Sequence, residues 1–229
     1  MEHWLYTVNI LGHGVSFNMD TLITMWLSML LLIIFAFVST RNLQFVPGKL
    51  QLFSENVVRY FNSIAKSSMG NDEAQKHIAI VLTLFMFILT ANLVGQLPWK
   101  LVHLSSGELA SPNNDINMTA AMAVVVSIYY IFYGVKRNGF KFFFKGFSIE
   151  GIIITLVDTL ELFVRPFSLA LRLFANIFAG EVLVATVVSL VAVVVPLPFM
   201  LFELFVALIQ ALVFTLLSTT YISLAIKEE

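Results

Sequence analysis

Long apolar segments restrict the fold of this chain more than any other feature. A helix needs about 20 apolar residues to cross roughly 30 Å of hydrocarbon. Several stretches approach or exceed that length: residues 22–38, 78–97, 120–135 and most of the chain after 151. Because the apolar residues form continuous runs without the alternation of a membrane barrel, each run predicts a membrane-spanning helix. The sequence therefore predicts an all-α integral membrane protein.

Composition agrees with this class and excludes several kinds of chemistry. The chain is 59% hydrophobic and 12% charged, whereas an ordinary soluble domain is about a quarter charged. It has no cysteine, so it has no disulfide, thiolate nucleophile or cysteine-ligated metal. The four histidines lie outside the apolar runs and form no HExxH pattern. We therefore expect no metal site and no cofactor.

The basic residues predict the orientation in the membrane. They concentrate in two connections, 40–76 and 136–150, and residues 1–40 contain none. By the positive-inside rule these connections are cytoplasmic and the N-terminus is outside. No basic residue precedes the first apolar run, so we expect that run to be retained rather than cleaved as a signal peptide. The predicted order is an extracytoplasmic segment 1–21, a span 22–39, a cytoplasmic connection 40–76, a span 77–97, an outer loop 98–116, a span 117–135 and a basic inner loop 136–150.

Within the first cytoplasmic connection, apolar residues recur at helical intervals. Leu52, Phe53, Val57, Phe61 and Ile64 share one side of a helix. This pattern predicts an amphipathic helix on the inner membrane surface. A soluble cytoplasmic helix is the alternative.

The C-terminal half predicts two unusually long helices. Residues 151–195 would extend about 67 Å as a helix, roughly twice the hydrocarbon thickness. The sequence PLP at 196–198 predicts a turn, followed by a second long helix over 199–227 with a cytoplasmic C-terminus. Helices of this length must be strongly tilted, so we expect a tilted, membrane-embedded hairpin whose first helix is interrupted by Pro166.

The first of these helices carries a polar stripe. At 100° per residue, one set of side chains falls within about 40° of a single line. The set is Asp158, Glu161, Arg165, Ser168, Arg172, Asn176 and Ala179. A lone arginine at mid-membrane costs from about 3 to roughly 10 kcal/mol or more, and no acid lies three or four residues from Arg172. This favours a functional role over snorkelling or intrahelical pairing for Arg172, whereas Arg165 has Glu161 four residues before it and is expected to pair with it.

Polar residues of the second long helix match those of the first. Glu203 and Gln210 are seven residues apart and share a face. One antiparallel register places Arg172 opposite Gln210 and Glu181 opposite Glu203. Desolvation and mutual repulsion favour the neutral form of the two acids, which suits proton transfer, although a packing role is the alternative. Asn176 and Gln210 are equally consistent with interhelical hydrogen bonding.

Further polar residues cluster at the predicted outer ends of the other spans. They are Asp20, Asn92, Gln96, Asp115, Asn117 and Thr119. Such a cluster is consistent with an outward-facing aqueous vestibule and also with ordinary interfacial caps.

Two segments, RPFSLALRLFANIFAGE at 165–181 and LIQALVFTLLSTTYISLA at 208–225, resemble subunit a of the rotary F-type ATP synthases, and the upstream spans agree with a bacterial member. The resemblance implies a non-catalytic stator subunit in the bacterial plasma membrane. Its partners would be the c-ring, the peripheral stalk b subunits and the lipid bilayer, with no nucleic acid. It would carry protons through two offset half-channels to and from the ring carboxylates, and so couple proton flow to rotation and ATP synthesis.

The resemblance also implies roles for individual residues. Arg172 would face the c-ring, with Gln210 and Asn176 supporting it. The implied proton pathway comprises Glu181 and Glu203 on the outer side and Asp158 and Glu161 on the inner side, to which we add Ser168, Asp115, Asp20 and Asn92. Many family members have histidine at one of the two positions that are Glu181 and Glu203 here, so the order of proton transfer stays open.

Three other functions are compatible with parts of the pattern. An ion-coupled secondary transporter could bury an arginine and acids, but no internal repeat is visible. An intramembrane hydrolase would need a GxSG or HExxH motif, and neither is present. A purely structural scaffold would leave the polar stripe unexplained.

Overall fold

The computed structural model describes residues 5–10, 13–96, 111–142, 149–190 and 196–227. The helices in these ranges are α1 (Met19–Arg41), α2 (Lys49–Met69), α3 (Asn71–Gly95), α4 (Ile116–Asn138), α5 (Ile149–Leu190) and α6 (Pro196–Ile226). Short 3-10 turns lie at Pro112–Asn114 and Gly139–Phe142. In the described part of the chain, 5 helices are long and apolar enough to cross a membrane, all of them except α2. The chain is therefore a multi-pass, all-α membrane protein.

A small β-hairpin precedes α1. Strands β1 (Leu5–Ile10) and β2 (His13–Asn18) pair antiparallel, with Leu5 opposite Asn18 and Ile10 opposite His13. It lies within the segment 1–21, for which the sequence predicted no secondary structure, and it is the only sheet in the described residues. A short hairpin has weak sequence signals, because its pairing is set by the turn between its strands.

Helix α2 is amphipathic. Its buried residues are Phe61 and Ala65, and the Phe61 ring lies 4.5 Å from the Phe85 ring of α3. The helix ends at Met69 and is followed by Gly70, whose φ of 84° is in the left-handed region and whose N–H donates to Lys66 O. This backbone conformation favours glycine, and it allows α3 to begin at the next residue.

The start of α6 corrects the predicted turn at 196–198. Pro196 is the first residue of the helix, and Leu197 and Pro198 continue it. Proline is tolerated here because the first N–H groups of a helix have no intrahelical acceptor. Pro166 lies inside α5, which is continuous from Ile149 to Leu190, although its missing N–H removes the bond to Leu162 O. The end of the predicted segment 151–195 falls partly outside the described residues.

The chain divides into two compact units, and most helices contribute to both. Unit one comprises Met1–Asn42, Met86–Met118 and Phe174–Ala211; unit two comprises Leu43–Phe85, Thr119–Leu173 and Leu212–Glu229. The buried core of unit one includes Ile88, Ala91, Val94, Ile177 and Ala207. That of unit two includes Phe61, Val81, Tyr130, Leu173, Phe214 and Ile222.

Candidate functional site

Asn92 is the centre of a buried amide network in unit one. Its Nδ2 donates to Ala207 O of α6 at 3.0 Å, and its Oδ1 accepts a hydrogen bond from Asn113 Nδ2 at 2.6 Å. Both asparagines are buried. Because each partner comes from a different element, the network fixes the turn at 112–114 against α3 and α6.

The carboxylate of Glu181 is bound by the same turn. Its Oε1 accepts from the backbone N of Ser111 at 3.2 Å, and its Oε2 accepts from Asn114 Nδ2 at 2.6 Å. The sequence had assigned Glu181 to the proton pathway but did not identify Ser111, Asn113 or Asn114. The only local signal for them is the SPNND sequence, which is typical of a turn.

Glu203 of α6 packs against Gly180 of α5, the residue that precedes Glu181. It is 9% exposed. A Cβ atom built on Gly180 would be 2.8 Å from Glu203 Oε1 and 3.0 Å from its Cδ. Gly180, the residue before Glu181, has no side chain, and this leaves room for the Glu203 carboxyl.

Asn176 and Gln210 form the interhelical hydrogen bond that the sequence offered as one alternative for them. Asn176 Nδ2 of α5 donates to Gln210 Oε1 of α6 at 2.6 Å. Gln210 is 2% exposed, so its side-chain oxygen needs a nearby hydrogen-bond donor. The neutral amide of Asn176 supplies that hydrogen bond.

Arg172 lies on the exposed side of α5. Its neighbours Leu169 and Leu173 are buried in unit two, whereas Arg172 itself is exposed. Among the described residues of unit two, it has no ion pair. A permanent cation is therefore presented on an otherwise apolar helix, outside the protein core.

The inner part of the stripe contains an ion pair. Glu161 pairs with Arg165, as the spacing of four residues had predicted. The Arg165 guanidinium also lies 5.2 Å from the centre of the Tyr221 ring. Asp158 and Ser168 are half-buried on the same helix.

Asp115 binds the elements on either side of it. Its Oδ2 accepts from Asn18 Nδ2 at 2.6 Å and from Thr21 Oγ1 at 3.3 Å. Its Oδ1 accepts from the backbone N and the Nδ2 of Asn117, both at 2.9 Å. This geometry is that of a helix N-cap for α4. Asp20 is buried at the start of α1.

A second polar cluster, in unit two, was not identified from the sequence. His77 is buried, and its Nδ1 is 2.8 Å from Tyr129 Oη. Glu73 accepts from Arg137 at 2.8 Å and from Lys76 at 2.9 Å. These contacts join α3 to α4. The described residues contain no cluster of histidine, aspartate and glutamate suited to a metal ion.

Comparisons with known proteins agree on one family. A family profile described as ATP synthase A chain matches residues 22–223. The chain is 42% identical to the ATP synthase subunit a of Gloeobacter violaceus over 214 residues, which cover 93% of this chain and 86% of that protein. It is 36% identical to a chloroplastic ATP synthase subunit a from Stigeoclonium helveticum over 228 residues, which cover 99% of this chain and 91% of that protein.

Proposed function

The chain belongs to the ATP synthase A chain family, and from this premise we propose that it is the stator subunit that carries protons to and from a ring of c subunits. Its role is to couple proton flow to rotation and ATP synthesis, without catalysing a reaction itself. Family membership favours this function over an ion-coupled secondary transporter.

The exposed guanidinium of Arg172 is the observation that carries the proposal. A charge on the apolar surface of a membrane helix is costly unless it meets a partner or water. Leu169 and Leu173 turn the other side of α5 toward the protein core. A carboxylate on a neighbouring subunit would satisfy Arg172, and the c-ring supplies one from each of its subunits.

The mechanism follows from the cost of charge in hydrocarbon. A proton that arrives through the outer path neutralises a ring carboxylate, which then enters lipid, because only its uncharged form does so at low cost. After nearly a full turn the carboxyl loses its proton to the inner path. Arg172 lies between the two paths, attracts the returning carboxylate and blocks direct leakage.

Residues of unit one support an outer proton path. The Glu203 carboxyl packs against Gly180, which precedes Glu181 in the chain, and Asn92 and Asp115 belong to the same unit. Ser111 Oγ, Asn113 Oδ1 and Gln210 Nε2 are buried without a hydrogen-bond partner among the described residues. Since buried polar atoms are usually paired or hydrated, these atoms favour a water-accessible region here.

The remaining assignments follow from the same premise. Asn176 and Gln210 support Arg172, and Asp20 belongs to the outer path with Asn92 and Asp115. The inner path comprises Asp158, Glu161 and Ser168. The ion pair with Arg165 holds Glu161 in position there. The peripheral stalk b subunits are further partners. We place the protein in a bacterial plasma membrane with the N-terminus outside and the C-terminus in the cytoplasm.

Substitution of Arg172 tests the proposal. We expect Arg172→Ala to abolish ATP synthesis driven by a proton gradient in liposomes that contain the whole complex. Arg172→Lys should also lose coupling, because a lysine surrounded by hydrocarbon rather than water can release its proton whereas arginine does not. The measurement is the initial rate of ATP synthesis after an imposed potential.

Arg59→Ala is the matched control. Arg59 on α2 is 77% exposed, and its ion pair with Glu55 is long, at 4.0 Å. This variant should retain the normal rate. Coupled synthesis near the normal rate in Arg172→Ala would refute the proposal.

A further inference from the structure

The carboxylate of Glu181 is held by an element outside the helical hairpin. The residues Ser111–Asn114, here called the entrance turn, donate one N–H to each carboxylate oxygen, at 3.2 Å to Oε1 and 2.6 Å to Oε2. N–H donors on both oxygens stabilise the ionised form, because a protonated carboxyl must use one oxygen as a donor. The hydrogen bonds from the entrance turn therefore favour the ionised form of Glu181.

The entrance turn is fixed in place independently of Glu181. Asn113 donates to Asn92 at 2.6 Å, and Asn114 N donates to Ser111 O at 3.0 Å. A Cβ built on Gly95 would be 2.3 Å from Ser111 Cβ, so the turn lies directly against the end of α3. All of its residues are buried. Its donors are consequently held in position by contacts other than those to Glu181.

Among the described residues around the entrance turn, the other charged groups are acids. Helix α6 contributes Glu203, whose carboxyl lies against Gly180, and the turn is followed by Asp115, which binds Asn18 and Thr21. Helix α3 contributes the neutral Asn92. Nearby acids oppose ionisation of Glu181. The two donors of the entrance turn instead favour the ionised form of Glu181.

We propose that the entrance turn is the positioning device for proton uptake, with Asn114 and the backbone N–H of Ser111 holding Glu181 ionised and aimed until a proton arrives. This inference rests on the proposed function. A proton from external water binds one carboxylate oxygen of Glu181, and the N–H donor on that oxygen loses an acceptor. When the proton passes on toward the ring carboxylate, the O–H bond breaks and the N–H···O bond forms again. Asn114 and Ser111 are positioning residues, since neither exchanges the proton itself.

Removal of the Asn114 donor should shift the pH at which protons enter. In Asn114→Leu the ionised form of Glu181 is less stable, so it takes up a proton at a higher pH. A hydrogen bond to a charged group is strong enough to move the midpoint by about one pH unit. We measure ATP synthesis by the whole complex in liposomes at fixed potential and fixed outer pH, while varying the pH of the lumen, which corresponds to the entrance side.

Three further variants distinguish positioning from folding. Asn114→Gln keeps an amide donor and should restore most of the normal profile. Asn114→Asp has nearly the same shape but adds a second acid, so it should shift the midpoint upward at least as far as Asn114→Leu. Asn138→Leu is the matched control: in unit two, Asn138 donates to Ala225 O of α6 and to Lys227 O just after α6, and its loss should leave the midpoint unchanged.

Ser111→Pro tests the second donor without changing the Asn114 side chain. The φ of Ser111 is −59°, which suits proline, and the substitution removes the N–H that binds Oε1. It should also shift the midpoint upward, and it decides the question if the Asn114 variants do not assemble.

Glu181→Gln separates this inference from the proposed function. Normal midpoints in the Asn114 and Ser111 variants, together with loss of synthesis in Glu181→Gln, would overturn the role of the entrance turn alone. Normal synthesis in Glu181→Gln would instead overturn the outer path on which the inference rests.

Discussion

At the scale of single residues, Gly180 determines where the Glu203 carboxyl lies. A Cβ at this position would be 2.8 Å from Glu203 Oε1 and 2.9 Å from its Cγ, so Gly180→Ala must displace the acid. The displaced atoms belong to a flexible side chain, and we expect the complex to assemble. A misplaced proton carrier should lower the rate of coupled ATP synthesis by about tenfold or more, as measured in liposomes under an imposed proton gradient.

The double variant Gly180→Ala/Glu203→Asp checks the cause. The shorter aspartate side chain relieves the contact and should recover part of the lost rate. Gly48→Ala is the matched control, since a Cβ at Gly48 meets nothing within 4 Å. A normal rate in Gly180→Ala would show that the position of the Glu203 carboxyl does not limit proton transfer.

At the scale of elements, the end of α3 sets the position of the entrance turn. A Cβ on Gly95 would be 3.0 Å from Ser111 Cα as well as 2.3 Å from its Cβ, so backbone must move in Gly95→Ala. Such overpacking costs about 1–3 kcal/mol of stability. It should also weaken the bond from Ser111 N to Glu181 and shift the entrance-side pH profile in the same direction as Asn114→Leu.

Heat inactivation of the assembled complex and the pH profile of ATP synthesis together test this link. Gly48→Ala again serves as the control, with a normal inactivation temperature and profile. A destabilised Gly95→Ala complex with a normal profile would mean that the turn moves without affecting Glu181.

At the scale of the whole molecule, the number of spans decides whether the two termini lie on the same side of the membrane. The described part of the chain has 5 candidate spans, so we expect the termini on opposite sides, with the N-terminus outside because of the distribution of lysine and arginine. The chain has no cysteine, so labelling of a single introduced cysteine shows on which side of the membrane that position lies. With an impermeant maleimide, Thr7→Cys should react from the outer face and Gln44→Cys only from the cytoplasmic face.

Two comparisons make the labelling decisive. The cysteine-free chain should take up no label, and Phe163→Cys, at an apolar position of α5 that is 72% exposed and that we expect to lie in hydrocarbon, should react from neither side. Reversed labelling of Thr7→Cys and Gln44→Cys would overturn the orientation and exchange the outer and inner paths.

Local physics explains what could be predicted from the sequence. The membrane class follows from continuous apolar runs, because an unpaired backbone is too costly in hydrocarbon. The Glu161–Arg165 pair follows from helix periodicity, since residues four apart share a face. The same periodicity singled out Arg172 as a cation that no neighbour on its own helix could neutralise.

The tertiary structure decided the features that depend on distant parts of the chain. The partners of Glu181, Ser111 and Asn114, are 70 and 67 residues away in sequence, and turn residues far from an acid give no periodic signal toward it. The sequence left the partner of Gln210 open, and the structure shows a hydrogen bond from Asn176, because side-chain packing sets the offset of two helices within one turn. The sequence by itself determined the membrane class and which polar residues interrupt its apolar segments. Only the packing of distant segments determined which of those polar groups meet, because hydrogen bonds depend on distances of a few tenths of an ångström.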